Sequence, residues 1–172
     1  MLFYILTGFV IAQRLLELVI AKKNEKISLS KGGVEYDKGG YIVIVIMHIL
    51  FFISLYTEFF YFERTLNKFW IIFLILFIAA QALRYWAIFT LGTMWNTRII
   101  IVPGSELIKT GPYKYFKHPN YMAVITELAV IPFMFSCFFT AVIFSSVNLL
   151  LLKRRIEIEE NALENLIQRS SN

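Results

Sequence analysis

In a chain of 172 residues, 58% hydrophobic and 17% aromatic with a mean hydropathy of +0.65, there is more apolar surface than a water-soluble domain of that size can bury, so the bilayer is its solvent. The net charge of +5 collects in connections and a tail that fall on one membrane face, which leaves nucleic acid with no case. A lone Cys137 and two histidines far apart in sequence, His48 and His118, argue against an internal disulfide and against a metal centre.

A crossing takes about 20 apolar residues. Spans are therefore predicted over 2–21, 41–62 and 69–91. The run 121–152 is too long for one helix and breaks around Pro132, Ser136 and Cys137 into a hairpin of two short helices. Five spans in one domain, 1–172, make an all-α integral membrane fold, completed by a cytoplasmic loop and a C-terminal helix. The first span has no basic region before it and no cleavage pattern after it, and it carries Arg14 and Glu17, so it is expected to stay as a helix.

Basic residues set the orientation. The first connection holds Lys22, Lys23, Lys26, Lys31 and Lys38, the third Arg98, Lys109, Lys114 and Lys117, and the tail Lys153, Arg154, Arg155 and Arg169; the second connection has only Arg64 and Lys68. By the positive-inside rule the N-terminus lies outside and the C-terminus in the cytoplasm. In the third connection, Pro103-Gly104 and Thr110-Gly111-Pro112 are turn signals around Ser105 to Lys109, a structured lid, and Pro119-Asn120 opens the fourth helix. The polar elbow Gly111 to Tyr121 and the cluster Arg155, Glu159 and Glu160 then share the cytoplasmic face.

Three blocks of the C-terminal half, Leu107-Ile108-Lys109-Thr110-Gly111-Pro112-Tyr113, His118-Pro119-Asn120-Tyr121 and Arg155 with Glu159, Glu160 and Leu163, resemble the isoprenylcysteine carboxyl methyltransferase family of membrane S-adenosylmethionine enzymes. Arg14-Leu15-Leu16-Glu17-Leu18, Arg84-Tyr85-Trp86 and Trp95-Asn96-Thr97-Arg98 look like a bacterial subgroup, some of whose members methylate alkylpyrones made by type III polyketide synthases. The resemblance implies a cofactor pocket lined by Ser105, Glu106, Leu107, Ile108, Tyr113, His118, Pro119, Asn120, Tyr121 and Glu159, with Arg155 orienting the substrate. It also implies S-adenosylmethionine-dependent O-methylation, in a bacterial cell membrane, of a lipophilic acceptor drawn from the bilayer lipids, either an alkylpyrone-type polyketide or an isoprenylcysteine-like carboxylate. A polyketide synthase partner is not readable from this chain.

The residue types suit that donor. A sulfonium cation, an adenine and a zwitterionic amino acid call for aromatic faces, an anion and hydrogen-bond donors. Tyr113 and Tyr121 offer the first, Glu159 the second and the helix start at Pro119 the third. Each residue also has a plainer reading: a Gly-Pro-Tyr turn with interfacial tyrosines, His118 as a helix cap, and Arg155 with Glu159 as a solvated pair on an amphipathic tail striped by Ile156, Leu163 and Ile167.

Arg14, His48, Arg84 and Glu127 each fall about seven residues inside their spans, roughly 10 Å deep at the helical rise. They are expected to form one layer below the pocket, either as the floor of the site or as interhelical glue. Phospholipid-type N-methylation, and a noncatalytic transport or assembly role that uses this layer as a conduit, are the competing functions.

Overall fold

The computed structural model describes residues 1–170, and side chains as far as Asn165, so the side chains of Ile167 and Arg169 lie outside the described residues. Its elements in order are α1 (Leu2–Ser30), β1 (Val34–Tyr36), α2 (Lys38–Tyr61), α3 (Trp70–Leu91), β2 (Ile99–Ile101), α4 (Pro119–Met134) and α5 (Phe138–Ser170), with 3-10 turns at Gly92–Met94 and Gly111–Lys114. The helices of α1, α2 and α3 are long and apolar enough to cross a membrane, whereas α4 is a shorter apolar helix. This is an integral membrane helical protein.

The hairpin of two short helices is wrong for its second arm, because α5 runs unbroken for 33 residues from apolar Phe138 into the charged tail. The break does fall where a proline and a left-handed residue put it: Cys137 N donates to Pro132 O at 2.8 Å and Ser136 takes φ 57°. The all-helical architecture stands, with one short ladder added between connections. Antiparallel β1 and β2 pair Val34 with Ile101 and Tyr36 with Ile99, joining the first connection to the third.

α1 continues past residue 21 to Ser30 because a buried stripe, Ala21, Asn24 and Ser28, recurs at helical spacing and packs against the end of α3. Lys22, Lys23 and Lys26 therefore sit on a helix and not in a loop. Asn24 Nδ2 donates to Trp95 O at 2.8 Å and to Gly92 O at 3.1 Å, tying the extension to the turn after α3. Arg154 on α5 reaches Asp37 at the start of α2 at 2.8 Å. The C-terminal ends of α1 and α3, the charged second half of α5 as far as Leu163, and the N-terminal ends of α2 and α4 thus gather at one end of the molecule.

The opposite end is apolar and locked. Phe3 stacks on Phe59 with ring centroids 3.8 Å apart and meets Phe135 edge-on at 5.0 Å. Buried Glu58 of α2 accepts from Phe139 N at 3.2 Å and Thr140 N at 2.7 Å, capping α5 from a neighbouring helix with a charge the helix dipole favours.

Candidate functional site

The elbow owes its shape to local chemistry. Gly111 takes φ 56°, and a Cβ there would collide with the Thr90 side chain, so only glycine fits the turn against α3. Pro112 is buried in the 3-10 turn, and Pro119 occupies the first helical position of α4, where its missing N–H costs nothing. His118 precedes it at the cap position but makes no side-chain cap bond. Instead its ring stacks on Tyr121, with centroids 5.2 Å apart, and its Nε2 lies 3.3 Å from Glu160.

Tyr121 joins the elbow to the tail. Its hydroxyl donates to Glu159 Oε2 at 2.5 Å and accepts from Arg155 Nε at 2.9 Å. Arg155 also donates from Nη2 to Thr97 O at 2.7 Å and is 5% exposed. A solvated Arg155–Glu159 pair is therefore not what forms: the two side chains meet on opposite sides of the same Tyr121 hydroxyl instead of on each other. Lys117 Nζ adds a contact to Glu160 at 3.3 Å.

Between these parts lies a cavity of about 440 Å³. Every residue expected at the cofactor pocket lines it: Ser105, Glu106, Leu107, Ile108, Tyr113, His118, Pro119, Asn120, Tyr121 and Glu159, together with Arg155. The stretch Ser105 to Ile108 follows a turn closed by Ser105 Oγ on Val102 O at 2.7 Å, with Gly104 at φ 75°. Ser105, Glu106 and Leu107 are exposed on the rim.

Leu163 of the tail block also lines the cavity, but sequence reasoning missed the remaining wall, which comprises Ser28, Leu91, Met94 to Asn96, Arg98 to Val102 and Gly104. Asn96 Nδ2 reaches Ser28 Oγ at 3.3 Å, and Arg98 is clamped to Glu35 at 2.6 Å while lying 4.6 Å over the Tyr41 ring. The signal was present in Asn24 and Ser28, two polar residues one helical turn apart below Ala21, which mark a helix that keeps a buried face after its hydropathy has fallen.

The electrostatics follow from these contacts. The hydrogen bond to Glu35 raises the Arg98 guanidinium above its ordinary value. Burial, then the nearby Glu159 carboxylate, pushes the Tyr113 phenol up, so it stays neutral. Hydrogen bonds from His118 and Lys117 hold the Glu160 carboxyl below the usual carboxylate range. No group of His, Cys, Asp and Glu suited to a metal ion occurs among the described residues.

Three of the four deep ionisable residues touch. Arg84, 1% exposed, donates from Nε to Glu127 Oε1 at 2.9 Å and from Nη2 to Oε2 at 2.8 Å, and lies 3.7 Å from Glu17. Arg14 bonds to Glu17 at 2.6 Å and also to Glu127, while Gln13 and Gln81 complete the network. His48 stands apart from the acids: it lines a small gap with Arg14 and Glu127, but its Nδ1 bonds to Ile44 O of its own helix at 2.8 Å.

A membrane helical protein with a small-molecule cavity at one end of its bundle is the class that fold and site define. The family model for the isoprenylcysteine carboxyl methyltransferase (ICMT) family matches residues 71–165, and the chain belongs to that family. Membership implies a membrane methyltransferase. The chain is 40% identical over 163 residues, 95% of its length and 97% of the relative's, to a Bacillus subtilis (strain 168) protein described as "Uncharacterized protein YpbQ". It is also 30% identical to an "Uncharacterized protein" of Haemophilus influenzae, with 94% of each chain covered. No solved structure matches.

Proposed function

We propose that the protein is an S-adenosylmethionine-dependent O-methyltransferase whose acceptor is a lipid-tailed molecule presenting an oxygen anion, an alkylpyrone-type polyketide first and an isoprenylcysteine-like carboxylate second. The observation that carries this reading is the Tyr121 hydroxyl, held between Glu159 and Arg155 at the wall of the cavity. The cavity falls within the roughly 300–1,000 Å³ range of small-molecule sites. Its donor set fits the cofactor: tyrosine faces, one carboxylate, and the start of α4, where Pro119 has no N–H and Asn120 N is left free of helical bonding.

When bound, S-adenosylmethionine supplies a methyl group to the acceptor oxygen, and the carbon–sulfur bonding pair stays on sulfur to leave a thioether, S-adenosylhomocysteine. The protein's share is position and charge. Arg155, fixed by Tyr121 and Thr97, keeps a guanidinium against the cavity to orient an oxyanion; Glu159 holds the cationic or hydroxylic part of the donor. An acceptor that is already anionic needs no base, so His118 serves by stacking and hydrogen bonding. With the N-terminus outside and the C-terminus cytoplasmic, the cavity opens toward the cytoplasm, where the donor is dissolved, and the acceptor arrives from the bilayer.

Calorimetry in detergent tests the donor: wild-type protein binds S-adenosylhomocysteine, and Glu159→Ala weakens that binding about tenfold. Arg155→Ala lowers turnover more than donor affinity. Lipid extracts from cells with and without the protein should differ by one methyl on oxygen. A methyl on nitrogen would move the protein to phospholipid-type chemistry, and no donor binding by folded protein would favour a conduit.

A further inference from the structure

Asn120 has two neighbours of different kinds, the cavity and a buried arginine. Its Oδ1 accepts from Arg84 Nη1 at 3.3 Å. A guanidinium has donors and no acceptor, so the Asn120 carboxamide must turn its oxygen to Arg84, which leaves its NH₂ group for the cavity. Arg84 cannot swing away. Both of its other nitrogens are committed to Glu127, which is in turn held by Arg14 of α1 and Gln81 of α3.

The network has a cost that packing alone does not justify. Two arginines and two glutamates balance to zero charge, yet well-packed apolar side chains commonly stabilise a buried site as well or better. At this depth the penalty for ionised groups grows. Something other than adhesion between α1, α3 and α4 is gained, and the one contact that leaves the network for the cavity is Arg84 to Asn120.

We propose that Arg84 is a positioning residue: it fixes Asn120 as a hydrogen-bond donor at the start of α4, and that donor receives an anionic oxygen, the carboxylate of the bound methyl donor's amino acid part. The inference rests on the reading of the cavity given above. It adds a link from an intramembrane charge network to cofactor affinity. The start of α4 favours the same charge as the amide, so the two act together on one carboxylate.

The test uses full-length protein in detergent, with S-adenosylhomocysteine as the probe for calorimetry and the thermal midpoint recorded for each variant. Arg84→Met/Glu127→Leu replaces one pair by apolar side chains and leaves Arg14 with Glu17, a balanced pair. The expected result is affinity weakened about tenfold with the midpoint kept, and a raised KM for S-adenosylmethionine with kcat at saturation retained. Equal affinity in that folded variant would overturn the proposal and leave the network as glue. Should the double variant not fold, Asn120→Asp against Asn120→Ala decides: aspartate still accepts from Arg84 but shows the cavity an anion, so it should bind at least about tenfold more weakly than alanine. Equal binding by those two also overturns it. Failure of the wild type to bind the probe would remove the cavity's assignment itself, and this inference with it.

Discussion

Arg155 and Glu159 stand one turn apart on α5, a spacing at which opposite charges can meet, and the Tyr121 hydroxyl keeps them separate by engaging both. Removing that oxygen frees the guanidinium and the carboxylate to pair with each other across the mouth of the cavity. Tyr121→Phe keeps the ring that stacks on His118, so the change isolates the hydroxyl. It should raise KM for S-adenosylmethionine and lower kcat, each about tenfold. Tyr113 supplies the contrast. Its hydroxyl has no hydrogen-bond partner among the described residues and burial keeps it neutral, so Tyr113→Phe should change both constants by less than about threefold. Steady-state kinetics on the two variants side by side check the assignment.

At the scale of elements, the site depends on α5 staying against the elbow, and Glu160 with Lys117 and His118 forms the outermost tie. Because the folded Glu160 pKa lies below its unfolded value, the tie is complete above the ordinary carboxylate value of about 4.3 and is lost as pH falls through the lower folded value. Limited proteolysis near Asn161 should therefore accelerate at acid pH, and Glu160→Gln should cleave faster at neutral pH and lose the pH dependence.

The sequence made much of this arrangement readable, for identifiable reasons. Helices α2 and α3 begin and end within a few residues of their hydropathy, since bilayer length and composition set both limits. The elbow and the tail cluster were legible because prolines, a glycine and charges stand out against apolar runs. What stayed hidden depended on distance in the chain. Three-residue strands separated by the whole of α2 and α3 have no local pattern long enough to see, and the cavity wall at Trp95 and Asn96 is positioned by Asn24 and Ser28 of α1. Counting depth along each helix put Arg14, Arg84 and Glu127 at one level, and the three side chains touch, but it could not tell that His48 would satisfy itself on its own backbone.

For the whole molecule, the two ends of the bundle differ in kind, and the proposed orientation decides which faces the donor. One end carries the cavity, the β1–β2 pair and most of the lysines; the other carries aromatic packing around Phe3 and the Glu58 cap. Cys137 lies fully buried near the second end, so a Cys137→Ala background gives a chain with no thiol to confuse labelling. Tyr115 on the elbow is 66% exposed and Tyr61 at the end of α2 is 79% exposed, which makes them suitable reporters for the two faces. In intact cells a membrane-impermeant maleimide should label Tyr61→Cys and spare Tyr115→Cys, and in inverted vesicles the preference should reverse. The opposite pattern would put the cavity outside, where no cytoplasmic methyl donor reaches it, and the methyltransferase reading would then need a donor delivered from the wrong side of the membrane.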